Sequence, residues 1–557
     1  MTHRRTAALR AALLGGAGLL CAAHAAAAYP LTPDFIARVA AGAYAPPDLL
    51  EAPNVPLVRI APADRGPDGA PGGADRPSPR ALSNALSAAV MARPDPAPLS
   101  VFGVGWAQFT MSHDLARSPV MEGPEGALDL PVAADDPIAQ DAGGVPVMRQ
   151  QRSMRDPVTG EPFSDVTPFL DGSTIYGSTP ERAAFLRAND GTGRLREAPD
   201  GGLLIVDGRR IAGDVRADEN IVLQSIHELM MKEHNRLAGE VSAGCAAAGV
   251  RCTEDEIFGA ARALNVAGQQ KVLFEEFVPA FLGTADLASL VPDAALLDGP
   301  GIVLNEFTAA AGRIGHTKIP ARIEAGLPGG PRVSQPIETC IFSATCLAGQ
   351  DLASRLHGAM TQPSDPVDTV VVPALRDALL EAAGGDVLID LLATNINRGR
   401  DHGLADYMTV RSVLGFPDVP MEELLPPEVV TLYAGATGVD LLVGLFAEER
   451  RPGAQLGETA SAIWALQLAR LTRDPQFYTA LLGDPIAEMM EGWGMADIVA
   501  ANTSLARAEV GDPFRALAPV PLPPAAAGTG LGLLILAALR RRTGGRAGAP
   551  DGRPARV

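Results

Sequence analysis

Eight histidines occur in 557 residues, and six of them lie beyond the first thirty: His113, His227, His234, His316, His357 and His402. With so few, the company each one keeps indicates its chemistry. His113 closes the run Trp106-Ala-Gln-Phe-Thr-Met-Ser-His and is followed by Asp114. A neutral imidazole at the end of an apolar run is suited to proton transfer, although singly it reads as a satisfied core histidine. Further on, Thr167-Pro-Phe-Leu-Asp-Gly-Ser173 places oxygen-bearing side chains at 167, 171 and 173. In extended backbone every second residue points the same way, so these three and the Phe169 carbonyl are expected to line one cavity for a hard cation. Calcium takes about six to eight oxygens, which calls for another donor, and Asp114 beside His113 is the expected one. The plainer reading of this stretch is an Asp-Gly turn with a polar rim.

Three more segments follow. Gly213-Asp-Val-Arg216-Ala-Asp-Glu219-Asn220 leads into Ile226-His-Glu-Leu-Met-Met-Lys-Glu-His-Asn-Arg-Leu237. Arg216 and Glu219, three apart, are expected to share one helix face. Glu306-Phe-Thr-Ala-Ala-Ala-Gly-Arg313-Ile-Gly-His316 and Thr394-Asn395-Ile-Asn-Arg398-Gly-Arg-Asp-His-Gly403 complete the set. Taken alone, they read as an ion pair, a core histidine and a charged loop.

Together and in this order, the five segments resemble the animal heme peroxidase family of the peroxidase-cyclooxygenase superfamily, with a peroxinectin- or peroxidasin-like character. The resemblance also takes in Pro77-Ser-Pro-Arg-Ala-Leu-Ser-Asn84, Gly438-Val-Asp-Leu-Leu-Val-Gly444 and residues 462–477, and so covers about residues 45–515. It implies a mainly α, large single-domain peroxidase fold with few short strands. It also implies heme b and calcium as cofactors, and the reduction of hydrogen peroxide with oxidation of a halide, phenolic or other small reductant through a ferryl heme intermediate. In that pattern His113 is the distal base and Arg216 the distal cation. His316 is the proximal iron ligand, Asn395 holds its far nitrogen, and Arg313 and Arg398 pair with the heme propionates. Asp114, Thr167, Phe169, Asp171 and Ser173 match the calcium ligands.

Three departures accompany the match. Family members place a halide-binding glutamine four residues before the distal histidine, whereas Gln108 is five before His113. On a regular helix that is about 140° around, and a local π-bulge would restore the alignment. Ser112 stands where one heme ester forms, which leaves Glu219 as the only carboxylate for a covalent link, and Asn220 replaces a methionine that forms a sulfonium bond. Two other readings share the fold. A fatty-acid oxygenase carries its radical tyrosine three residues before the proximal histidine, where this chain has Arg313. A surface adhesion or matrix protein would keep the fold with little catalysis, yet the chain has no Arg-Gly-Asp tripeptide.

The elements that must position these residues are mostly helical. Apolar residues recur at three- and four-residue spacing, as in Leu223, Ile226, Leu229, Met230 and Leu237, and alternating strand patterns are scarce. The domain reading is a catalytic body over 99–516, preceded by an irregular Pro/Gly/Asp/Arg-rich lead-in over 29–98 that wraps it. Residues 1–28 read as a secretory signal peptide, with Arg4-Arg5 ahead of an Ala/Leu-rich run. Residues 517–557 combine an apolar stretch with Arg540-Arg541-Arg542. They resemble the C-terminal sorting signals of bacterial exosortase substrates, which implies a membrane-anchoring segment processed by a sorting protease. The body is therefore expected to be exported to the periplasm, the cell surface or the exterior. Cys245 with Cys252, and Cys340 with Cys346, lack zinc-site spacing and suit two local disulfides in an oxidising compartment. A formal charge of -19 argues against a nucleic-acid partner.

Overall fold

The computed structural model describes most of residues 31–516. Residues 1–30, 45–53, 67–71, 90–94, 96, 114, 116, 142–145, 300–301, 344, 381–386, 474–476, 478–484 and 517–557 lie outside the described residues. The expected signal peptide, the sorting segment and Asp114 fall in those stretches. No helix among the described residues is long and apolar enough to cross a membrane.

Helices dominate, and the strands form four two-stranded antiparallel ladders. We label the helices that matter here in chain order: α1 (Pro33–Ala40), α2 (Pro79–Ala88), α3 (Val101–Ala107), α4 (Ile221–Ala247), α5 (Glu254–Val272), α6 (Leu352–Thr361), α7 (Leu391–Asp401), α8 (Leu441–Ala447) and α9 (Glu458–Leu471). The central one is α4, 27 residues long, whose first free N–H groups are met by the Asn220 side chain accepting from Leu223 N at 2.9 Å. It is buried along nearly its whole length, so its sequence shows no sharply one-sided pattern. The chain reverses through the Cys245–Cys252 disulfide into α5, which opens on a capping box in which Thr253 and Glu256 satisfy each other's backbone N–H. The second expected disulfide, Cys340–Cys346, is also formed.

Against α4 lies α3, and the two approach closely because Gly105 carries no side chain. A Cβ there would stand 2.8 Å from Val222 Cγ1 and 3.0 Å from Ile226 Cδ1.

The lead-in is more ordered than its composition suggests. It contains α1 and α2, and it is pinned to distant parts of the body by buried arginines. Arg80 reaches Asp136, Asp377 and Asp390 at 3.0, 2.8 and 2.7 Å, with Arg80 and Asp390 only 3% and 0% exposed. Arg76 pairs with Asp64 and Asp440, and Asp440 also accepts from Arg400 and Tyr433. Ion pairing overrides a composition rich in Pro and Gly because a buried carboxylate without a cation is costly. Replacing Arg80 by Met should lower stability by about 3–5 kcal/mol, read as a lower denaturant midpoint. An unchanged midpoint would show that the lead-in docks without it.

Candidate functional site

The residues singled out from the sequence come together where α3, the start of α4, a 3-10 segment and α7 meet. The first contribution is a departure from α geometry. After Ala107 the chain continues as a π-helix over Gln108–His113. The regular-helix expectation for Gln108 is therefore corrected, because i→i+5 bonding brings residues five apart to the same side. Gln108 Nε2 lies 3.3 Å from His113 Nε2. The same amide nitrogen donates to Glu219 Oε1 at 3.1 Å, and its oxygen accepts from Asn220 Nδ2 at 3.0 Å. Asn220 thus caps α4 with its oxygen and holds Gln108 with its nitrogen.

The segment before α4 also differs from expectation. Residues 213–219 form turns rather than a helix, and Arg216 and Glu219 are linked by a turn hydrogen bond, Glu219 N to Arg216 O at 2.8 Å. Its shape is set from below. A Cβ on Gly213 would fall 2.2 Å from Ser173 O and 2.5 Å from Gly177 N, so only glycine lets this strand of chain rest on that backbone. Arg216 then folds onto Asp214, which accepts from its backbone N at 2.6 Å, its Nε at 3.2 Å and its Nη2 at 3.1 Å. His113 is 4% exposed, with Nδ1 3.7 Å from Asp214 Oδ1 and Nε2 3.7 Å from Glu219 Oε2. Burial and the Arg216 charge hold its pKa well below the usual 6.5, against the opposing pull of Asp214.

On the other side, Ala311–Lys318 is a 3-10 helix. Residues three apart eclipse in that geometry, so Arg313 and His316 line one side. The His316 Nδ1 atom is 2.7 Å from Asn395 Nδ2 on α7. In this orientation the amide nitrogen donates to Nδ1; turning the amide over would let Nδ1–H donate to its oxygen instead and leave the Nε2 lone pair for a metal. Burial and Arg313 lower the His316 pKa to about 4. Arg398 donates to Ser153 Oγ at 2.8 Å and Asp401 Oδ2 at 3.0 Å. Burial, Arg216 and Arg398 together press the Arg313 pKa down to about 10, with Glu219 opposing. The site thus concentrates cations that its own carboxylates do not fully offset.

A model of the Animal haem peroxidase family matches residues 50–507. The chain belongs to the animal haem peroxidase family. Among curated relatives it is 28% identical over 350 residues to chorion peroxidase of Drosophila melanogaster, covering 57% of this chain and 42% of the relative. To peroxinectin A of Dictyostelium discoideum it is 26% identical over 342 residues, covering 57% and 62%. The chain thus spans about half the length of the curated relatives it matches. Among solved structures it superposes on peroxidase A from Dictyostelium discoideum with a TM-score of 0.70 at 22% identity, covering 83% of this chain and 96% of that one. An Oryza sativa fatty acid alpha-dioxygenase superposes with the same TM-score at 19% identity, covering 83% and 84%. The mainly α fold with few short strands is the fold of these structures.

In this member of the animal haem peroxidase family, the loop expected to hold calcium is not extended. Bends at 168, 169 and 171 lead into a short helix at Ser173–Tyr176, with Asp171 hydrogen-bonded back to Thr167 and forward to the Ser173 backbone. Asp171 Oδ1 accepts from Thr167 Oγ1 at 3.0 Å and from Ser173 N at 2.9 Å. Burial raises the Asp171 pKa, and the Arg262 guanidinium, 3.9 Å from its carboxylate, opposes that rise. Among the described residues no three His, Cys, Asp or Glu form a metal-binding group; Asp114 is not among them, and Phe169 would contribute only its carbonyl. Sequence reasoning missed Asp214, whose signal was its place one residue after the glycine that the fold requires.

Two outcomes follow from this geometry. Gly213→Ala must push the 213–219 turn off the Ser173–Gly177 backbone, so both the Arg216 position and overall stability should suffer, by about 1–3 kcal/mol; thermal melting and a structure of the variant would read this. His227, fully buried edge-on to Phe109, has a pKa lowered to about 4 by burial. Between about pH 4 and 6.5 the unfolded chain binds the proton and the native state does not, so this histidine costs stability as pH falls through that window. His227→Leu should therefore gain stability relative to wild type at pH 5 compared with pH 7.5, and a pH-independent difference would refute it.

Proposed function

We propose that the chain is an exported heme peroxidase that reduces hydrogen peroxide and oxidises a small reductant such as a halide or a phenol. The observation that carries this reading is that the Gln108–His113 and Ala311–Lys318 segments adjoin, with Ser112 Oγ donating to Gly312 O at 3.4 Å, which gathers His316, held through Nδ1 by Asn395, and His113, beside Gln108 and Asp214, into one site. The residues suit a dianionic metal macrocycle. No protein hydrogen bond engages His316 Nε2 among the described residues, and the cations at 216, 313 and 398 repel one another in the absence of an added anion. Heme b, when bound, would supply a redox-active iron, with His316 as its ligand and Arg313 and Arg398 as the partners of its propionates.

The chain's own contributions are proton handling and charge. His113, neutral at pH 7, is poised to take a proton from peroxide at Nε2 and return it to the departing oxygen. Arg216, with Nε and Nη2 on Asp214, keeps Nη1 for the negative charge that develops as the peroxide bond breaks. Gln108, drawn beside His113 by the π-turn, supports a halide-binding role. Glu219, whose pKa is raised by burial against the pull of Arg216, is the one carboxylate placed for an ester link, since its counterpart is Ser112. Thr167, Phe169, Asp171 and Ser173, with Asp114, would hold calcium, whose charge would satisfy the buried Asp171 carboxylate. Two disulfides favour export, for which residues 1–28 would serve as signal peptide and residues 517–557 as a bacterial sorting and anchoring segment.

The test is the visible spectrum of the purified exported body with and without hydrogen peroxide, in wild type, His316→Ala and His113→Ala. The Soret band should be lost in the first variant. The second should keep it and react with peroxide about 10²–10⁴-fold more slowly. A wild type that binds no heme would overturn the reading in favour of an adhesion protein. Oxidation of fatty acids without peroxide-dependent turnover of phenols or halides would favour an oxygenase.

A further inference from the structure

The heme peroxidase reading assigns no role to the buried Asp214 carboxylate beside the two distal groups. We infer that Asp214 is the positioning residue of the distal pair: it fixes the Arg216 fork and sets which nitrogen of His113 carries the proton. This rests on the proposed function and adds to it a residue that acts through the two distal groups.

The tautomer follows from a chain of donors and acceptors that starts at Glu219. Its carboxylate can only accept, so the Gln108 group facing it at 3.1 Å is the amide NH2. The Asn220 Nδ2 donor at 3.0 Å agrees, since it meets the Gln108 oxygen. That same Gln108 NH2 points at His113 Nε2 from 3.3 Å, so Nε2 must accept and the proton of the neutral ring sits on Nδ1. Nδ1 is buried and has no hydrogen-bond partner in the structure. The anion beside it is Asp214 Oδ1 at 3.7 Å, a gap that a small ring movement closes or a water bridges. Glu219 Oε2 lies at the same 3.7 Å from Nε2, so the Gln108 amide decides the tautomer, with the basic nitrogen facing Gln108 and Glu219 and the Nδ1 proton left to Asp214.

Asp214 is built for the second task as well. It is 1% exposed and takes three hydrogen bonds from Arg216, one from the backbone and two from the side chain. Burial raises its pKa, but Arg216 and His113 outweigh that and hold the carboxyl well below the ordinary range, so it is an anion at any working pH. Arg117 lies 4.0 Å from its other oxygen but is bonded to Asp165 at 2.7 Å, which leaves that cation paired if Asp214 is neutralised.

The experiment compares wild type, Asp214→Asn and Asp214→Glu as purified heme-loaded proteins, normalised to the Soret band. Two readouts are taken: the rate constant with hydrogen peroxide, and the dissociation constant of hydrogen cyanide, a weak acid that must leave its proton on the distal base to bind as the anion. Asp214→Asn should weaken cyanide binding and slow the peroxide step by about tenfold to a hundredfold together, and Asp214→Glu should recover much of both. Constants per heme that equal wild type in Asp214→Asn overturn the assignment, and so does a variant whose only defect is a lower melting temperature or heme content. No Soret band in the wild type is a different failure, of the heme reading itself, and the Asp214 assignment falls with it.

Discussion

Like charges held close together in a protein interior set the terms for this site. Burial together with the charges of Arg216 and Arg398 presses the Arg313 pKa down, and the anions available to the three guanidiniums are few. Each guanidinium is therefore tied by its own acceptor: Arg216 by Asp214, Arg313 by the Thr308 carbonyl, and Arg398 by Asp401 and Ser153. These tethers keep the repulsion from dispersing the cluster, and they turn it into a region of positive potential facing the two histidines. Much of the surrounding fold supplies the tethers.

The second constraint is register. Gln108 and His113 can work as a pair only if the last turn of the helix is widened, and the widening is stabilised from outside, by Asn220 and Glu219 at the start of α4. One asparagine therefore starts the longest helix among the described residues and locks the Gln108–His113 turn. The His316 side uses the opposite distortion, a tightened 3-10 helix that aligns Arg313 with His316. Both histidines thus sit on segments that depart from regular α-helix, in keeping with the tendency of such distortions to cluster where function is placed.

Much of this was legible in the sequence. The order of five short segments pointed to the family, the three- and four-residue spacing pointed to helices, and close cysteine pairs pointed to two local disulfides that the structure contains. What the sequence hid was conformation that depends on partners far along the chain. The 213–219 turn looked helical because Arg216 and Glu219 are three apart, yet Gly213 packing on the Ser173–Gly177 backbone dictates its path. The 167–173 loop looked extended because its oxygens alternate, yet it bends, with Asp171 bonded to the Thr167 hydroxyl and the Ser173 backbone N–H. Asp214 escaped notice because an acidic residue beside an arginine is common, and only burial distinguishes it.

The pairings of the lead-in have a temporal side. Val58 bridges to Leu304, Asp64 N bonds to Gly403 O, Arg80 meets Asp390, Arg76 meets Asp440, and Pro98 O accepts from Ala516 N. The earliest part of the described chain therefore finds its partners among residues made hundreds of positions later. Such long-range closure is slow, and it leaves the buried arginines and their apolar surroundings exposed until the C-terminal half arrives. A ribosome delivering this chain from its N-terminus would hold an open, aggregation-prone form until residues 390–516 have emerged, so the lead-in can close only after them.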